Sequence, residues 1–380
     1  MHILLIYKST PFEIITLFLY LNFLISDKPN LITMDTIIPS PDTIPVHWFW
    51  FQALLVITFV LHLILMNLML GGSLLVTWDN VIKRRKPVGQ NNLPILVALT
   101  INLGVPPLLF VQVLYGHLFY SSSIIMAVPW ILVIPILILA YYGSYVYCKN
   151  IDRAPAWSRA GIIVSSLFLL YVGFMMVNNA TLSVNPSNWG VQLERPGGLT
   201  LNLSEPSLWP RYLHFVLAAL SVAALGYAIY ARYVVKEDEE KNSIIKLNLK
   251  RFAWLTIIQF AVGIWFLLSN PRETWMTFMG GSIIATVLFS LSLLMTISMV
   301  ITAFRFKLNV TLINLVVLIV IMVIMREYLR AAWLNNVFSP SSLETTGRIS
   351  SFIAFLVVFL AGIYFLYYMY RLATNKNIKS

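Results

Sequence analysis

The sequence predicts an all-α protein, a polytopic transmembrane bundle of nine or ten helices, and three observations carry that reading. The 380 residues are 59% hydrophobic and only 11% charged. The apolar residues gather in unbroken runs of 19 to 30. Lys and Arg collect in every second connector between those runs. A bilayer core of roughly 30 Å needs about 20 apolar residues per helix, and in hydrocarbon each backbone amide must bond internally, so the runs are helical spans. They lack the two-residue alternation of a transmembrane strand, which excludes a β-barrel.

In chain order, residues 1–33 hold a weaker apolar stretch, Ile14 to Ile25. It is either an extra helix, a signal segment, or a leader ahead of a start at Met34. A single transmembrane domain follows over 48–371, with spans near 48–78, 94–120, 123–148, 157–179, 210–235, 251–269, 279–303, 307–325 and 349–371. The first connector carries Lys83, Arg84, Arg85 and Lys86, the third Lys149, Arg153 and Arg159, and the fifth six Lys and Arg between Arg232 and Arg251. With Arg305, Lys307 and the tail, these segments hold 18 of the 26 Lys and Arg. The positive-inside rule places them, and the C-terminus, in the cytoplasm of a bacterial inner membrane. Trp48, Trp50, Trp189, Trp209, Trp275 and Trp333 mark the opposite, outer boundary as an interfacial belt. The outer connector 180–209 is the longest and contains Pro196-Gly197-Gly198, long enough for a lid or docking surface, or simply an ordered cap on the bundle.

A net charge of +11 would suit nucleic acid, but the basic residues lie in short connectors and not on one soluble face, so no nucleic-acid role is expected. A lone cysteine, Cys148, excludes a disulfide framework, a Cys-rich zinc site and an iron–sulfur cluster carried by this chain alone.

Sliding the first span onto the fifth by 152 residues aligns Leu61-His62-Leu63 with Leu213-His214-Phe215 and Gly71-Gly72 with Ala223-Ala224. This weak repeat divides the bundle into two pseudo-repeated four-helix units, and the small residues allow close helix approach. His62, His117 and His214 all fall inside spans, towards the outer side. Imidazole in lipid is costly and must find a partner within the bundle, so each ring is either a hydrogen-bonded structural group or a ligand. Three histidines in one leaflet point to b-type haem, for which imidazole is the usual ligand and methionine a common sixth one. Met279 has the depth to pair with His214, and His117 is a possible companion of His62. Met66 and Met69 follow His62 at helical spacing, a pattern that packing produces as well. Gly71, Gly72, Gly104, Gly116, Gly280 and Gly281 make room either for a flat macrocycle or for helix crossings. Arg326 and Arg330, one turn apart, suit two propionates or interfacial anchoring. No Asp or Glu lies in the middle of any span, Asp79 and Glu327 being at ends, which argues against a proton pump or ion-coupled transporter.

Several of these residues together resemble subunit I of cytochrome bd quinol oxidases. Phe51-Gln52 followed by His62 looks like that family's first helix, whose His ligates a high-spin b haem. Arg211-Tyr212-Leu213-His214 looks like the helix whose His ligates the low-spin b haem, and Phe278-Met279-Gly280-Gly281 is similar to the Met-Val-Gly turn that supplies the opposite ligand. The run Asn102-Leu103-Gly104-Val105 through Val111-Gln112-Val113-Leu114-Tyr115-Gly116 is similar to the second helix and the loop after it. The likeness covers about 48–300 and rests on short patterns. It departs at Gln112, where the family has a glutamate associated with the oxygen-reducing haem, and His117 stands close by as an alternative ligand. The family's long quinol-binding loop is reduced to Pro271–Phe278.

The resulting expectation is a membrane-bound b-type cytochrome subunit holding one to three b haems. It would relay electrons between quinone or quinol and an outer-side c-type cytochrome or other periplasmic redox partner within a hetero-oligomeric complex. The rivals are a bd-type quinol oxidase subunit and a haem-free membrane anchor or transporter subunit.

Overall fold

The computed structural model describes residues 38–82, 92–150, 155–190 and 200–376. The segment 1–33, the basic cluster Lys83–Lys86 and Pro196-Gly197-Gly198 lie outside the described residues. Among the described residues nine long helices follow one another: α1 Trp48–Val76, α2 Leu93–Met126, α3 Val133–Lys149, α4 Ala156–Ser183, α5 Leu208–Val234, α6 Asp238–Leu268, α7 Ile283–Phe304, α8 Leu308–Trp333 and α9 Ile349–Lys376. Among the described residues, eight helices are long and apolar enough to cross a membrane, and α9 adds the apolar run Phe352–Gly362. The protein is therefore an all-α, multi-pass membrane bundle. Its helices carry apolar side chains all round, as lipid-facing spans do, with residues such as Ile124, Ile283 and Val358 fully outward.

Consecutive helices pack extensively as α1–α2, α3–α4, α5–α6 and α7–α8, and an equally large interface, α1–α5, joins the two sets. The same pairing of consecutive helices thus recurs on both sides of the α1–α5 interface. The seam depends on Gly71, where a Cβ would meet the Ala219 carbonyl oxygen at 1.9 Å and Ala223 Cβ at 2.8 Å. Gly226 in turn admits the Leu68 side chain. Below the seam, Leu75, Val222, Ala224 and Phe252 form a core with Met299 and Leu315 from α7 and α8.

We call the membrane face at which α1 begins the first face, and the other the second face. At the second face Arg251 donates to both carboxylate oxygens of Asp79, at 2.6 and 2.7 Å, tying the end of α1 to α6. At the first face Ile44 pairs with Glu344 and Thr346 through two 2.9 Å backbone bonds, joining the approach to α1 with the α8–α9 connector.

Three boundaries differ from the sequence reading. α6 begins at Asp238, so the basic residues Lys241, Lys246, Lys250 and Arg251 sit on its first turns and not in a loop. α8 runs to Trp333, which brings Arg326, Glu327 and Arg330 inside the helix. α2 continues to Met126 through a break at Tyr115 (φ −132°, ψ 24°), downstream of Pro106 and Pro107. Proline supplies no amide to the carbonyl four residues back, so the ladder of α2 is already opened before the break. Of the 180–209 connector, α4 takes the first four residues, Trp189 is buried with its indole N–H on the Leu182 carbonyl at 2.9 Å, and Asn202 donates its amide to Asn178 Oδ1 at 3.2 Å.

Candidate functional site: two histidine notches beside a buried arginine cluster

The histidines of α1 and α5 meet their neighbouring helices in the same way. His62 lies against α2 with its Nδ1 3.1 Å from the Thr100 carbonyl oxygen. Four residues further along α2, a Cβ on Gly104 would come within 2.9 Å of the imidazole Cε1. His214 lies against α6, where a Cβ on Gly263 would stand 3.2 Å from both Cε1 and Nδ1. The carbonyl four residues before that glycine belongs to Gln259 and lies towards His214, but Nδ1 is buried without closing a hydrogen bond. Each ring thus fills a notch opened by a glycine, next to the carbonyl one turn back.

The notch has a chemical consequence. A carbonyl oxygen only accepts, so the Nδ1 bonded to Thr100 must carry the proton, and the His62 lone pair is on Nε2. Ligating histidines commonly show this arrangement, because the Nδ1–H bond fixes the tautomer and orients the ring. The depths agree too. His62 precedes Gly71 by nine residues and His214 precedes the Ala219–Ala223 crossing by five to nine. At about 1.5 Å per residue both rings sit roughly 8 to 14 Å from the seam, on the side of the first face.

Charged residues lie beside both notches. Arg326 of α8 stands 4.4 Å over the Phe59 ring, whose centroid is 6.4 Å from His62. Arg211 of α5 stands 5.1 Å over Phe266, whose centroid is 6.4 Å from His214. Glu327 receives Arg326 at 2.6 Å, Arg330 at 2.8 Å and the Gln52 amide at 3.1 Å. Arg330 also covers the ring of Tyr115, at 4.6 Å, which the break in α2 presents to it. Arg211 is within electrostatic reach of Arg326, Arg330 and Glu205. The side chains of Arg330 and Glu327 are only 11% and 12% exposed, so these are desolvated charges and not a screened surface pair. Three guanidinium groups against two carboxylates leave one positive charge over, and Glu205 also accepts from Ser207 at 3.1 Å and Asn185 at 3.4 Å.

Comparison of the chain with protein-family models, curated proteins and solved structures returns no match. The site is accordingly argued from its own residues.

His62, His214, Arg326 and Arg330 are brought to the first-face half of the bundle by α1, α5 and α8. His117 is not brought to His62. It lies thirteen residues beyond Gly104 on α2, about 20 Å along the helix, and packs edge-on to Phe338 at 4.4 Å. Gln112 is half-buried and has no hydrogen-bond partner among the described residues. Met279 sits in a turn with non-helical φ/ψ beside Gly280 (φ 109°), is 44% exposed, and makes no described contact with His214. The glycines also divide by use: Gly104 is filled by an imidazole and Gly71 by a helix crossing. Among the described residues no group of three or more His, Cys, Asp or Glu gathers as protein ligands to a metal ion.

Sequence reasoning missed Glu327 as the centre of the cluster, and Gln52, Phe59, Phe266 and Gly263 as its surroundings. The Arg-Glu-x-x-Arg run at 326–330 was a signal for the first of these, since residues three apart share a helix face. Nothing in the local sequence around Gly263 marks it as the seat of a histidine forty-nine residues away.

Proposed function

We propose that this chain is a membrane-bound b-type cytochrome subunit in which His62 and His214 ligate haem iron through Nε2. The observation that carries the reading is the repeated notch, which holds an imidazole at matching depth in each half and directs the His62 Nδ1 proton to a backbone carbonyl. The residues present fit a b haem by donor chemistry: imidazole nitrogens with an unclaimed Nε2, and Arg211 and Arg326 as cations beside each histidine's aromatic neighbour. A bound haem supplies one-electron redox chemistry at iron. The chain's own residues orient the two rings, exclude water with apolar spans, and offer positive charge for propionates, with Arg326 and Arg330 held by Glu327. The lysine-rich second face is cytoplasmic by the positive-inside rule, so both histidines lie in the outer half of a bacterial inner membrane. The path then runs between the quinone pool and a c-type cytochrome on the outer side. His117 and Met279 are further ligand candidates, although the geometry favours neither as the partner of His62 or His214. Gln112 in place of a carboxylate supports electron relay over oxygen reduction.

A haem-free anchor or transporter subunit is the second reading, because the same notch also works as a clasp between α1 and α2 and between α5 and α6. Absorption spectra of the purified full chain, oxidised and dithionite-reduced, separate the two. A Soret band with reduced α-bands is expected, and His214→Ala should remove a low-spin component at unchanged protein level while His62→Ala removes a second haem component. A wild-type chain without a Soret band, produced in a haem-replete host, overturns the cytochrome reading.

A further inference from the structure

At the second face the end of α5, the first turns of α6 and the α7–α8 turn border an open cavity of about 490 Å³. Three cations line it, Arg232, Lys241 and Lys307. Lys241 pairs with Asp238, Arg232 donates to Asn309, and Lys307 has no acidic partner among the described residues. Three positive charges against one carboxylate leave a surplus of two. The remaining acidic residues of the first turn of α6, Glu239 and Glu240, do not line the cavity. Leu308, Asn309 and Val310, the opening residues of α8, form part of the wall, and that first turn has no acidic residue and no side-chain cap. Phe306, at φ 56°, turns the chain there, with Lys246 and Lys250 each 5.9 Å from its ring.

The cavity continues into an apolar track. Val310, in its wall, is 43% exposed, and Ile313, Val317 and Val320 follow at helical spacing along α8, at 63%, 40% and 37%. A freely soluble anion has no use for such a track. An amphiphile with a negative head and an apolar tail matches both parts. Basic recesses between helices at a membrane surface suit phospholipid phosphates for this reason.

We infer that this cavity holds the headgroup of an anionic phospholipid. Arg232, Lys241 and Lys307 receive the phosphodiester, and an acyl chain lies along the Val310–Val320 stripe. The inference does not depend on haem. Native mass spectrometry of the detergent-purified full chain, incubated with dioleoyl phosphatidylglycerol or dioleoyl phosphatidylcholine, tests it. One phosphatidylglycerol retained per chain is expected, with at least tenfold less phosphatidylcholine. An Arg232→Gln/Lys307→Gln double variant should lose about tenfold of that retention, whereas Lys236→Gln, outside the lining, and the charge-conserving Lys307→Arg both keep it. Equal retention of the two lipids overturns the inference, as does unchanged retention in the double variant while it elutes as a folded monodisperse species. Displacement of phosphatidylglycerol by millimolar inorganic phosphate would reassign the cavity to a free anion.

Discussion

The two halves of the bundle build the same device to different tightness. In the first half the imidazole is close to its glycine, 2.9 Å from the position of a Cβ, and its Nδ1 is satisfied by Thr100 at 3.1 Å. In the second half the clearance is 3.2 Å and the buried Nδ1 is unpaired. A poorly closed bond contributes less than a well-formed one, so the second notch holds its ring more loosely. The difference teaches that two like placements of a histidine can share a glycine notch without sharing a well-formed hydrogen bond.

The largest effect should come from what both halves share. Glu327 is the single carboxylate holding Arg326 and Arg330, and Gln52 ties it to α1. Glu327→Gln leaves desolvated guanidinium groups facing each other, and breaking a buried pair in this way costs about 3–5 kcal/mol. SDS-unfolding titration of the purified protein reads the loss directly. Because the cluster reaches both notches through Phe59 and Phe266, the cytochrome reading proposed above expects spectral changes in the components assigned to both histidines. A change confined to one component would mean that the cluster belongs to one half only.

Next is the seam. Gly71→Ala places a Cβ 1.9 Å from the Ala219 carbonyl oxygen, which is backbone and yields only if the helices separate. Overpacking of this kind costs about 1–3 kcal/mol, and a backbone obstacle puts the expected value at the upper end. The check is the same titration, with Gly72→Ala as the comparison, since its Cβ would meet nothing closer than 3.5 Å. Equal stability of the two variants would show that α1 and α5 do not depend on this crossing.

The architecture was legible because the bilayer reduces the problem to counting apolar runs and basic connectors, and the offset of 152 residues between His62 and His214 pointed to the two helices, α1 and α5, that meet at the seam. The site was legible only in part. His62, His214, Arg326 and Arg330 stand out as ionisable groups in apolar surroundings, which is a local signal. Gly104 under His62 and Gly263 under His214 are set by how α2 and α6 register against α1 and α5, and register between helices is not a property of any short segment. Glu327 was placed at a helix end because apolarity fades near 325, yet helical propensity and the Arg-Glu-Arg face carry α8 eight residues further, to Trp333.

The smallest and most discriminating effect lies in the paired glycine substitutions. Gly104→Ala must push the His62 ring by several tenths of an ångström and with it the bond to Thr100, so it should cost about 1–2 kcal/mol and, on the cytochrome reading, perturb the spectral component assigned to His62. Gly263→Ala meets its imidazole at 3.2 Å and has no closed Nδ1 bond to break, while alanine is the better helix former by up to about 1 kcal/mol. Those two contributions nearly offset, and a change under about 1 kcal/mol is expected, with a shift only in the His214 component. The two variants run side by side decide whether the halves differ as their geometry says. A larger loss from Gly263→Ala than from Gly104→Ala would mean that the second notch is the tighter one, and that the unpaired nitrogen of His214 is satisfied when the protein is in its membrane.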